Sequence, residues 1–315
     1  MSPSQRRAAV AFLVRKHRVS ERRACKVVGV HRSTNRYAAV PTDFEARLVA
    51  AMKELADRFP RYGYRRVHAL LVAEGWNVNV KRVERLWVLE GLQVPPRRLN
   101  RGQKAFGTSE FSAWALPALR PTHIWSYDFV SVRLVNGSKF RVLNVVDEFT
   151  REALGSRVAS SIGARDVTKH LAHLFEVHGR PEMIRSDNGR EFVAETVKDW
   201  LRAQGVEPVF IAKASPQQNC YVERFNGTMR DELLDRELFR TLTEARVVIN
   251  GWLVEYNTFR PHRGLGMKPP AMFAADTIAQ LKEAKREGVA LGTYDTQTGP
   301  KPARQPAGGN RRKPH

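Results

Sequence analysis

Residues 124–159 read IWSYDFVSVRLVNGSKFRVLNVVDEFTREALGSRVA, and this stretch decides the fold of the chain. It contains three runs of strand-forming residues. These runs predict consecutive strands over residues 124–134, 140–146 and 153–159. Because neighbouring strands usually pair with one another, a sheet is expected at the centre of this region.

Two helical and two strand segments follow this stretch. Helical spacing of apolar residues marks residues 164–178 and 193–204, and short strand candidates lie at residues 183–187 and 208–211. Three strands, then helices alternating with two more strands, predict an α/β fold in which helices flank a mixed five-stranded sheet. This order matches the ribonuclease H type of fold, and a match of fold does not by itself define a function.

The composition is that of a folded protein. Its 315 residues are 42% hydrophobic, enough for two or three domains with a sizeable core. The longest stretch without Asp, Glu, Lys or Arg is nine residues, far short of the roughly twenty that span a bilayer. Cys25 and Cys220 are too few for a zinc finger or a disulfide framework. We therefore expect an intracellular, cytoplasmic protein with reduced thiols.

Positive charge is concentrated toward the two ends of the chain. The formal net charge is +21, and residues 1–106 contain 23 Lys or Arg but only 8 Asp or Glu. Residues 298–315 add five basic residues and no acidic one, whereas the segment between is nearly neutral. Basic arms on a near-neutral centre suit an enzyme that binds a polyanion, because neutralising phosphates releases counterions. A solvated basic surface or a ribosomal-type protein is the alternative.

Residues 1–40 predict a small helix-turn-helix unit. Helices are expected over residues 6–17, 21–28 and 31–38, with Ser20 as the N-cap of the second. The third helix, which is polar and basic, would enter the major groove. Its candidate DNA contacts are Arg32 and Arg36.

A second helical DNA-binding unit is predicted over residues 43–93. Apolar residues at helical spacing indicate one helix that ends near Gly75 and another that ends near Gly91. Trp87, in the second of these helices, is assigned to the core rather than to base stacking. The exposed basic positions that would meet phosphates are Arg65, Arg66, Lys81, Arg82 and Arg85.

The remaining chain divides into a linker, a core and a tail. Residues 94–121 lose periodicity and contain four prolines among basic residues, which predicts a basic linker. Residues 122–280 form the predicted ribonuclease H-like core. Residues 281–315 predict a basic, disordered tail.

Two aspartates stand at positions where strands should exclude charge. Asp128 lies inside a predicted strand with apolar neighbours on both faces, and burying an unpaired carboxylate is costly. A partner for Asp128 is therefore expected. Asp187 closes another predicted strand, just before Asn188 and Gly189, where a loop can present a side chain to a cleft.

A third acid, Glu223, lies on a helix that is predicted to open near Ser215. Ser215, Pro216 and Gln218 suit the N-cap, N1 and N3 positions of that helix. Its core stripe is Val222, Phe225, Met229 and Leu233, and its polar face is Glu223, Asn226 and Arg230. A carboxylate, an amide and a cation on one face can meet a phosphate-bearing cleft.

A divalent metal site is the chemistry that three such acids would serve. Clustered carboxylates repel one another unless a cation joins them. Oxygen ligands favour Mg²⁺ or Mn²⁺ over Zn²⁺, and two such ions suit in-line displacement at phosphorus. Composition alone, however, does not select these three acids from the 32 in the chain.

Longer sequence motifs contain these three acids and distinguish them from the other acidic residues. They comprise residues 61–67, 125–130, 145–151, 186–192, 221–227, 256–257 and 260–262, with Leu265 and Pro269 beyond. Thirty-five residues lie between Asp187 and Glu223, and Arg230 follows Glu223 by seven positions. In these motifs and spacings the chain resembles the second-reading-frame (OrfB) transposases of the insertion sequence 3 family, which share the catalytic core of retroviral integrases. The resemblance covers about residues 6–275.

The resemblance implies a DNA transposase of the DDE type. Asp128, Asp187 and Glu223 would be the catalytic acids and would hold two Mg²⁺ ions, with Mn²⁺ as a substitute. Asn226 and Arg230 would help to place the transposon-end DNA. The implied partners are terminal inverted repeats, target DNA and further copies of the chain, in an enzyme associated with the bacterial nucleoid.

Several positions depart from the family pattern or stay open. The family often fuses this frame to an upstream (OrfA) helix-turn-helix and leucine-zipper segment, so fusion or association with such a partner is expected. Cys220 stands where a small residue is expected. Asp147 and Glu191 are assigned supporting rather than catalytic roles. His262 would either touch DNA or brace the last helix.

Two rival functions stay open at this point. A ribonuclease H-like nuclease would cut DNA without joining it, although two DNA-binding units and the spacing of the acids argue against it. A non-catalytic DNA-binding regulator derived from a transposase would have no use for a costly cluster of carboxylates. An assay of strand joining separates these functions.

Overall fold

The computed structural model of the protein describes residues 1–36, 43–94, 117–211 and 219–286. The chain forms two compact units, with the boundary between Glu54 and Leu55. No helix in the described ranges is long and apolar enough to cross a lipid bilayer.

The first unit begins with the three predicted helices. They are α1 (Pro3–His17), α2 (Glu21–Val28) and α3 (Arg32–Arg36). Ser20 caps α2 as predicted, and Gly29 ends it in the left-handed region at φ 68°. Helix α1 begins three residues earlier than predicted, because Ser2 and Gln5 form a capping box ahead of it. The predicted end of the third helix, at residues 37–38, lies outside the described residues.

Three further helices precede the sheet. Helix α4 (Asp43–Arg58) contains the boundary between the two units and is absent from the predicted elements, whereas α5 (Tyr64–Ala73) and α6 (Val80–Leu89) match the second predicted helical pair. Helices α5 and α6 pack on each other. Trp87 on α6 is only 4% exposed, which confirms its assignment to the core.

The sheet has five strands. They are β1 (Ile124–Arg133), β2 (Lys139–Asp147), β3 (Ala153–Ala159), β4 (Met183–Ser186) and β5 (Glu207–Phe210), in the spatial order β3-β2-β1-β4-β5. Strands β1, β2 and β3 pair antiparallel, while β4 pairs parallel with both β1 and β5. The predicted mixed five-stranded sheet is confirmed, and each predicted strand end lies within one residue of the observed one.

Helices cover the sheet. They are α7 (Ala164–His178), α8 (Arg190–Val193), α9 (Glu195–Ala203), α10 (Cys220–Met229), α11 (Leu242–Thr258) and α12 (Pro270–Arg286). Helix α10 continues into a π-helical segment, Arg230–Leu234. The prediction is correct for α7, but the single helix expected over residues 193–204 is interrupted at Ala194, which lies between α8 and α9.

The start of α10 and the end of α12 bear on two sequence predictions. The proposed opening of the Glu223 helix at Ser215, Pro216 and Gln218 lies outside the described residues, and α10 is described from Cys220. Helix α12 continues to Arg286, so residues 281–286, which were predicted to belong to the tail, are helical. Residues 287–315 lie outside the described ranges.

Alternate residues of the central strands face opposite helical layers. Val130 and Val142 pack with buried residues of α10 and α11, whereas Tyr127 and Leu143 pack with those of α7 and α9. Because side chains two residues apart share one face of a strand, Asp128 lies on the face that α10 covers. The fold thus sets one strand carboxylate against the helix that carries another.

Candidate active site

Two of the predicted acids lie side by side at one end of the sheet. Strands β1 and β4 pair in parallel with Ser126 opposite Arg185, so two residues further along each chain Asp128 and Asp187 become neighbours. Asp187 comes directly after the last residue of β4, as expected for a side chain that a loop presents. Its Oδ1 accepts a hydrogen bond from the Gly189 amide at 3.0 Å.

Helix α10 brings an amide and the third acid to the same place. Asn226 is buried, and its Nδ2 donates to Asp128 Oδ2 at 2.9 Å. The backbone amide of Phe129 donates to Asp128 Oδ1 at 2.7 Å. The partner that a strand aspartate requires is therefore present, and it consists of amide groups. Glu223, three residues before Asn226, is exposed in the first turn of α10.

Asn226 is itself held by Asn144, a residue that the sequence alone does not single out. Asn144 on β2 is the register partner of Asp128, and its Nδ2 donates to Asn226 Oδ1 at 2.7 Å. Ser156 on β3 donates in turn to Asn144 Oδ1. A chain of hydrogen bonds therefore runs from β3 through β2 and α10 to Asp128. The available signal was a polar residue inside the apolar run of β2.

Burial and nearby negative charge alter the ionisation of Asp128 and Glu223. Burial and the negative charge of Asp187 raise the pKa of Asp128 to about 6. The pKa of Glu223 is also raised, first because the surrounding protein partly desolvates its carboxyl group although the residue is exposed, and then by the charges of Asp128 and Asp187. Within the described ranges, no three Asp, Glu, His or Cys side chains are near enough to one another to hold a metal ion. The carboxylates share one electrostatic field at a wider spacing than a closed ligand cage, as mutual repulsion favours.

An aromatic and cationic cluster lies next to Asp128 in sequence, on the opposite face of β1. Phe129 stacks on Phe192 with ring centroids 4.8 Å apart, and the Arg141 guanidinium lies 3.7 Å from the centroid of the Phe129 ring. Arg141 forms an ion pair with Glu191. Its charge also offsets part of the upward shift in the pKa of Asp128. Glu191, which was expected to play a supporting role, thus holds the Arg141 side chain over the Phe129 ring.

The comparisons with known proteins identify the family. Two family models described as integrase core domain match residues 118–216 and 204–270, and one described as HTH-like domain matches residues 43–99. The insertion element IS407 uncharacterized 31.7 kDa protein of Burkholderia multivorans is 41% identical over 82% of this chain and 91% of its own length. The insertion element IS476 uncharacterized 39.2 kDa protein of Xanthomonas euvesicatoria is 38% identical over 89% of this chain and 80% of its own.

The chain belongs to the insertion sequence 3 family of transposases. A further relative, the transposase for insertion sequence element IS904 of Lactococcus lactis, is 28% identical over 68% of this chain and 87% of its own length. The integrase core spans the sheet and α10, which carry the three acids. Polynucleotidyl transfer on DNA is therefore the chemistry of this transposase.

The basic residues of the helical segments that are predicted to contact DNA have three kinds of surroundings in this transposase. Those exposed on α5 and α6 are Arg65, Lys81, Arg82 and Arg85. Arg66, by contrast, is only partly exposed, and its Nη1 donates to Glu232 Oε1 at 3.1 Å. In the first unit Arg36 binds both carboxylate oxygens of Glu21, and Arg32 Nε lies 4.0 Å from the same side chain. Contact of any of these residues with DNA stays a prediction.

The motif at the end of β2 organises the strands of the transposase core. Asp147 is buried and accepts backbone amide hydrogen bonds at 2.7 to 2.8 Å from Thr122, Phe149 and Thr150. These bonds confirm the structural role assigned to it. Glu148 forms a fully buried ion pair with Arg185 of β4 at 2.7 Å.

Three other positions also have defined surroundings. Arg260 Nη1 donates to His262 Nε2 at 2.9 Å, and burial followed by the nearby arginines lowers the pKa of His262 to about 3. His262 therefore braces the segment after α11. Arg230 is exposed where the π segment begins, and its Nη2 lies 3.4 Å from the Ser131 carbonyl oxygen of β1. Cys220 is half-buried at the start of α10, and burial raises the pKa of its thiol.

Proposed function

We propose that this transposase cuts DNA at the ends of its own insertion element and joins them to target DNA, with Asp128, Asp187 and Glu223 as the catalytic acids. The observation that carries the proposal is the convergence of β1, the end of β4 and α10. The strand register makes Asp128 and Asp187 neighbours, and the helix that carries Glu223 also bonds Asp128 through Asn226. None of the ion pairs among the described residues includes any of the three. Their negative charge is thus left for a bound cation to neutralise.

Two divalent cations are the proposed cofactors. Carboxylate and amide oxygens are donors that Mg²⁺ and Mn²⁺ accept, whereas Zn²⁺ favours nitrogen and sulfur. The donor set of Asp128, Asp187 and Glu223 fits this preference, and we infer that these residues hold two Mg²⁺ ions, with Mn²⁺ able to substitute. When bound, such a pair activates the attacking oxygen and neutralises charge on the phosphate and the leaving oxygen.

The protein's own side chains orient the acids and the DNA. Asn226, held by Asn144, fixes the carboxylate of Asp128. Arg230 supplies a positive charge beside β1 for a DNA phosphate. The reaction consists of two displacements. Water breaks one phosphodiester and leaves a 3′-hydroxyl, and that hydroxyl then breaks a second phosphodiester as it forms a new one.

The helical segments before the core are proposed to hold the terminal inverted repeats. Residues 1–40 and 43–93 would form two DNA-binding units, residues 94–121 a basic linker and residues 122–280 the catalytic core. The excess of basic residues in residues 1–106 supports this division of labour, because neutralising phosphates drives association with DNA. Within the second unit the exposed side chains of Arg65, Lys81, Arg82 and Arg85 are the proposed contacts.

Assembly on DNA is part of the proposal. An insertion element has two ends, and joining both to one target requires an active site at each end. We therefore infer that several copies of the chain assemble on the DNA. Fusion or association with an upstream-frame (OrfA) protein would add further DNA-binding and dimerisation surfaces.

A joining assay tests the proposed function. The substrate is a labelled duplex with the element's terminal sequence, read from the DNA that flanks the coding frame. With Mg²⁺, we expect cleavage at the end and labelled products joined to a target plasmid, and a chelator should abolish both. Hydrolysis without joining, once end binding is shown, would establish the nuclease alternative. Binding without any cleavage would establish the regulator.

A further inference from the structure

Two sequence motifs that the proposed chemistry does not use converge on one carboxylate. The first is residues 61–67, which begin α5, and the second is residues 256–262, which end α11 and begin the following loop. Both reach Glu232, which lies in the π segment that continues α10. Their meeting point is therefore attached to the helix that carries Glu223.

Glu232 is held by two arginines from different parts of the chain. Arg260 Nε donates to Glu232 Oε2 at 2.8 Å, and Arg260 Nη2 donates to Glu232 Oε1 at 2.7 Å. Arg66 Nη1 donates to the same Oε1 at 3.1 Å. The side chains of Glu232 and Arg260 are only 8% and 5% exposed. Buried and multiply bonded ion pairs have a defined geometry, and losing one partner leaves a charge stranded away from water.

Neighbouring contacts tie the same two regions together. Arg61 Nη2 lies 2.6 Å from Asp231 Oδ1, again between the start of α5 and the π segment. Phe59 stacks on Tyr62 with ring centroids 4.7 Å apart, and on Phe259 with centroids 5.3 Å apart. The segment before α5 is thus fastened to the core by both charge and aromatic packing.

These contacts connect the proposed DNA-binding face to the acids. Helix α5 carries Arg65 on its exposed side and Arg66 on the side that meets Glu232. From Glu232 the π segment leads without a break into α10, and so to Asn226 and Glu223. DNA bound to the outer face of α5 and α6 would therefore be held at a set distance from the acids.

We propose that Arg66 and Glu232 are positioning residues, which form an ionic joint that determines which phosphodiester reaches the acids. This inference rests on the proposed function. The joint touches neither the acids nor the outer face of α5. Loss of the joint should therefore spread cleavage over neighbouring phosphodiesters and leave the affinity for DNA unchanged. A small misplacement of the reacting bond lowers the reaction rate strongly.

Adjacent arginines provide a matched pair of variants. In Arg66→Gln the joint loses one cation, and we expect cuts spread over neighbouring phosphodiesters, with about tenfold less product at the parental position. End affinity should stay within about twofold of the parent's, since no phosphate contact is removed. In Arg65→Gln we expect the reverse, namely affinity that falls several-fold with a flatter salt dependence and a cut that stays at one position. Arg66→Lys keeps the charge and should restore most of the parental cut.

The measurement is a sequencing-resolution gel of the end-labelled duplex, beside binding isotherms and circular dichroism that show each variant folded. The parent's single cut is the reference, and its absence would contradict the proposed function and the joint with it. If Arg66→Gln is folded and cuts at the parental position at the parental rate, the joint is refuted while the proposed function stands. A fall in affinity that matches Arg65→Gln would show Arg66 to be a DNA contact and would also refute the joint.

Discussion

Two carboxylate environments lie at opposite ends of one helical stretch. Near its start Glu223 shares the field of Asp128 and Asp187, and the pKa of Glu223 is raised in consequence of burial and these charges. Nine residues later Glu232 is bonded to two arginines, and neighbouring Asp231 meets a third. The same residue type thus serves two purposes. The arginines bonded to Glu232 neutralise its charge, and it serves as a structural contact. The charges of Glu223, Asp128 and Asp187 repel one another, and a cation could neutralise them.

The largest expected effect is among Asp128, Asp187 and Glu223, the acids grouped near the start of α10. Asp187→Asn removes a negative charge that is proposed to bind metal, and strand transfer should fall by at least about 10³-fold, at or beyond the upper limit for losing one oxyanion-hole donor. Affinity for the end duplex should stay nearly unchanged. Glu195→Gln is the control, because Glu195 is an exposed acid on α9 that pairs with Lys198. Equal activity of Asp187→Asn and the parent would remove Asp187 from the site.

At Glu232, whose charge Arg66 and Arg260 balance, the expected effect is on stability. Glu232→Gln leaves Arg260 buried without its carboxylate, and the free energy of unfolding should fall by about 3 kcal/mol. Glu223→Gln removes a charge that its neighbours repel, so stability should change by no more than about 0.5 kcal/mol. Urea unfolding at pH 7 measures both. A larger loss for Glu223→Gln than for Glu232→Gln would invert the comparison.

A smaller effect is expected where the acids are oriented. Asn144→Ala breaks the hydrogen-bond chain to Asn226 and Asp128, and the rate of end cleavage should fall roughly 10- to 100-fold, as for other groups that orient metal ligands. The Mg²⁺ concentration for half-maximal rate should rise as well. Asn250→Ala, at an exposed position of α11, serves as the control. A lower rate with an unchanged Mg²⁺ requirement would show that Asn144 does not act through metal binding.

The smallest expected effect is the response to metal without DNA. Mg²⁺ at about ten times its dissociation constant should stabilise the parent by about 1.4 kcal/mol, a rise in melting temperature of roughly 3 to 6 °C. Mn²⁺ should act likewise. The rise should vanish in Asp187→Asn but persist in Glu232→Gln. An equal rise in both variants would mean that the cation binds elsewhere.

The sheet was predictable because its signal is local. Each strand is a short run of apolar and β-branched residues, and the observed ends lie within one residue of the predicted ones. Helix α11 was missed because its apolar residues do not form one stripe. Val247 and Val254 are 68% and 62% exposed on it, while Ile249 and Trp252 are buried. With apolar side chains on both sides, the helical period is lost.

The site was only partly predictable, because its contacts depend on pairing between distant residues. That Asp128 needs a partner followed from its apolar strand. That the partner is Asn226, itself held by Asn144, depends on how β2 pairs with β1 and on where α10 crosses them. Arg65 and Arg66 look alike in the sequence. One is exposed and the other binds Glu232, and that difference exists only after folding.

The nine-residue interval between Glu223 and Glu232 keeps two differently charged surroundings apart on one continuous helical stretch. The chain winds between them first as α-helix and then as a π-helical segment, so the two side chains leave the helix roughly 13 Å apart along its axis. The guanidinium groups bonded to Glu232 are therefore separated from Glu223 by that length of helix. One amino acid inserted between the two glutamates would turn Glu232 by roughly 100° about the axis. Arg66 and Arg260 lie on other elements and would not turn with it. An enzyme altered in this way would keep its three acids and lose the contact that ties α5 to the helix of Glu223.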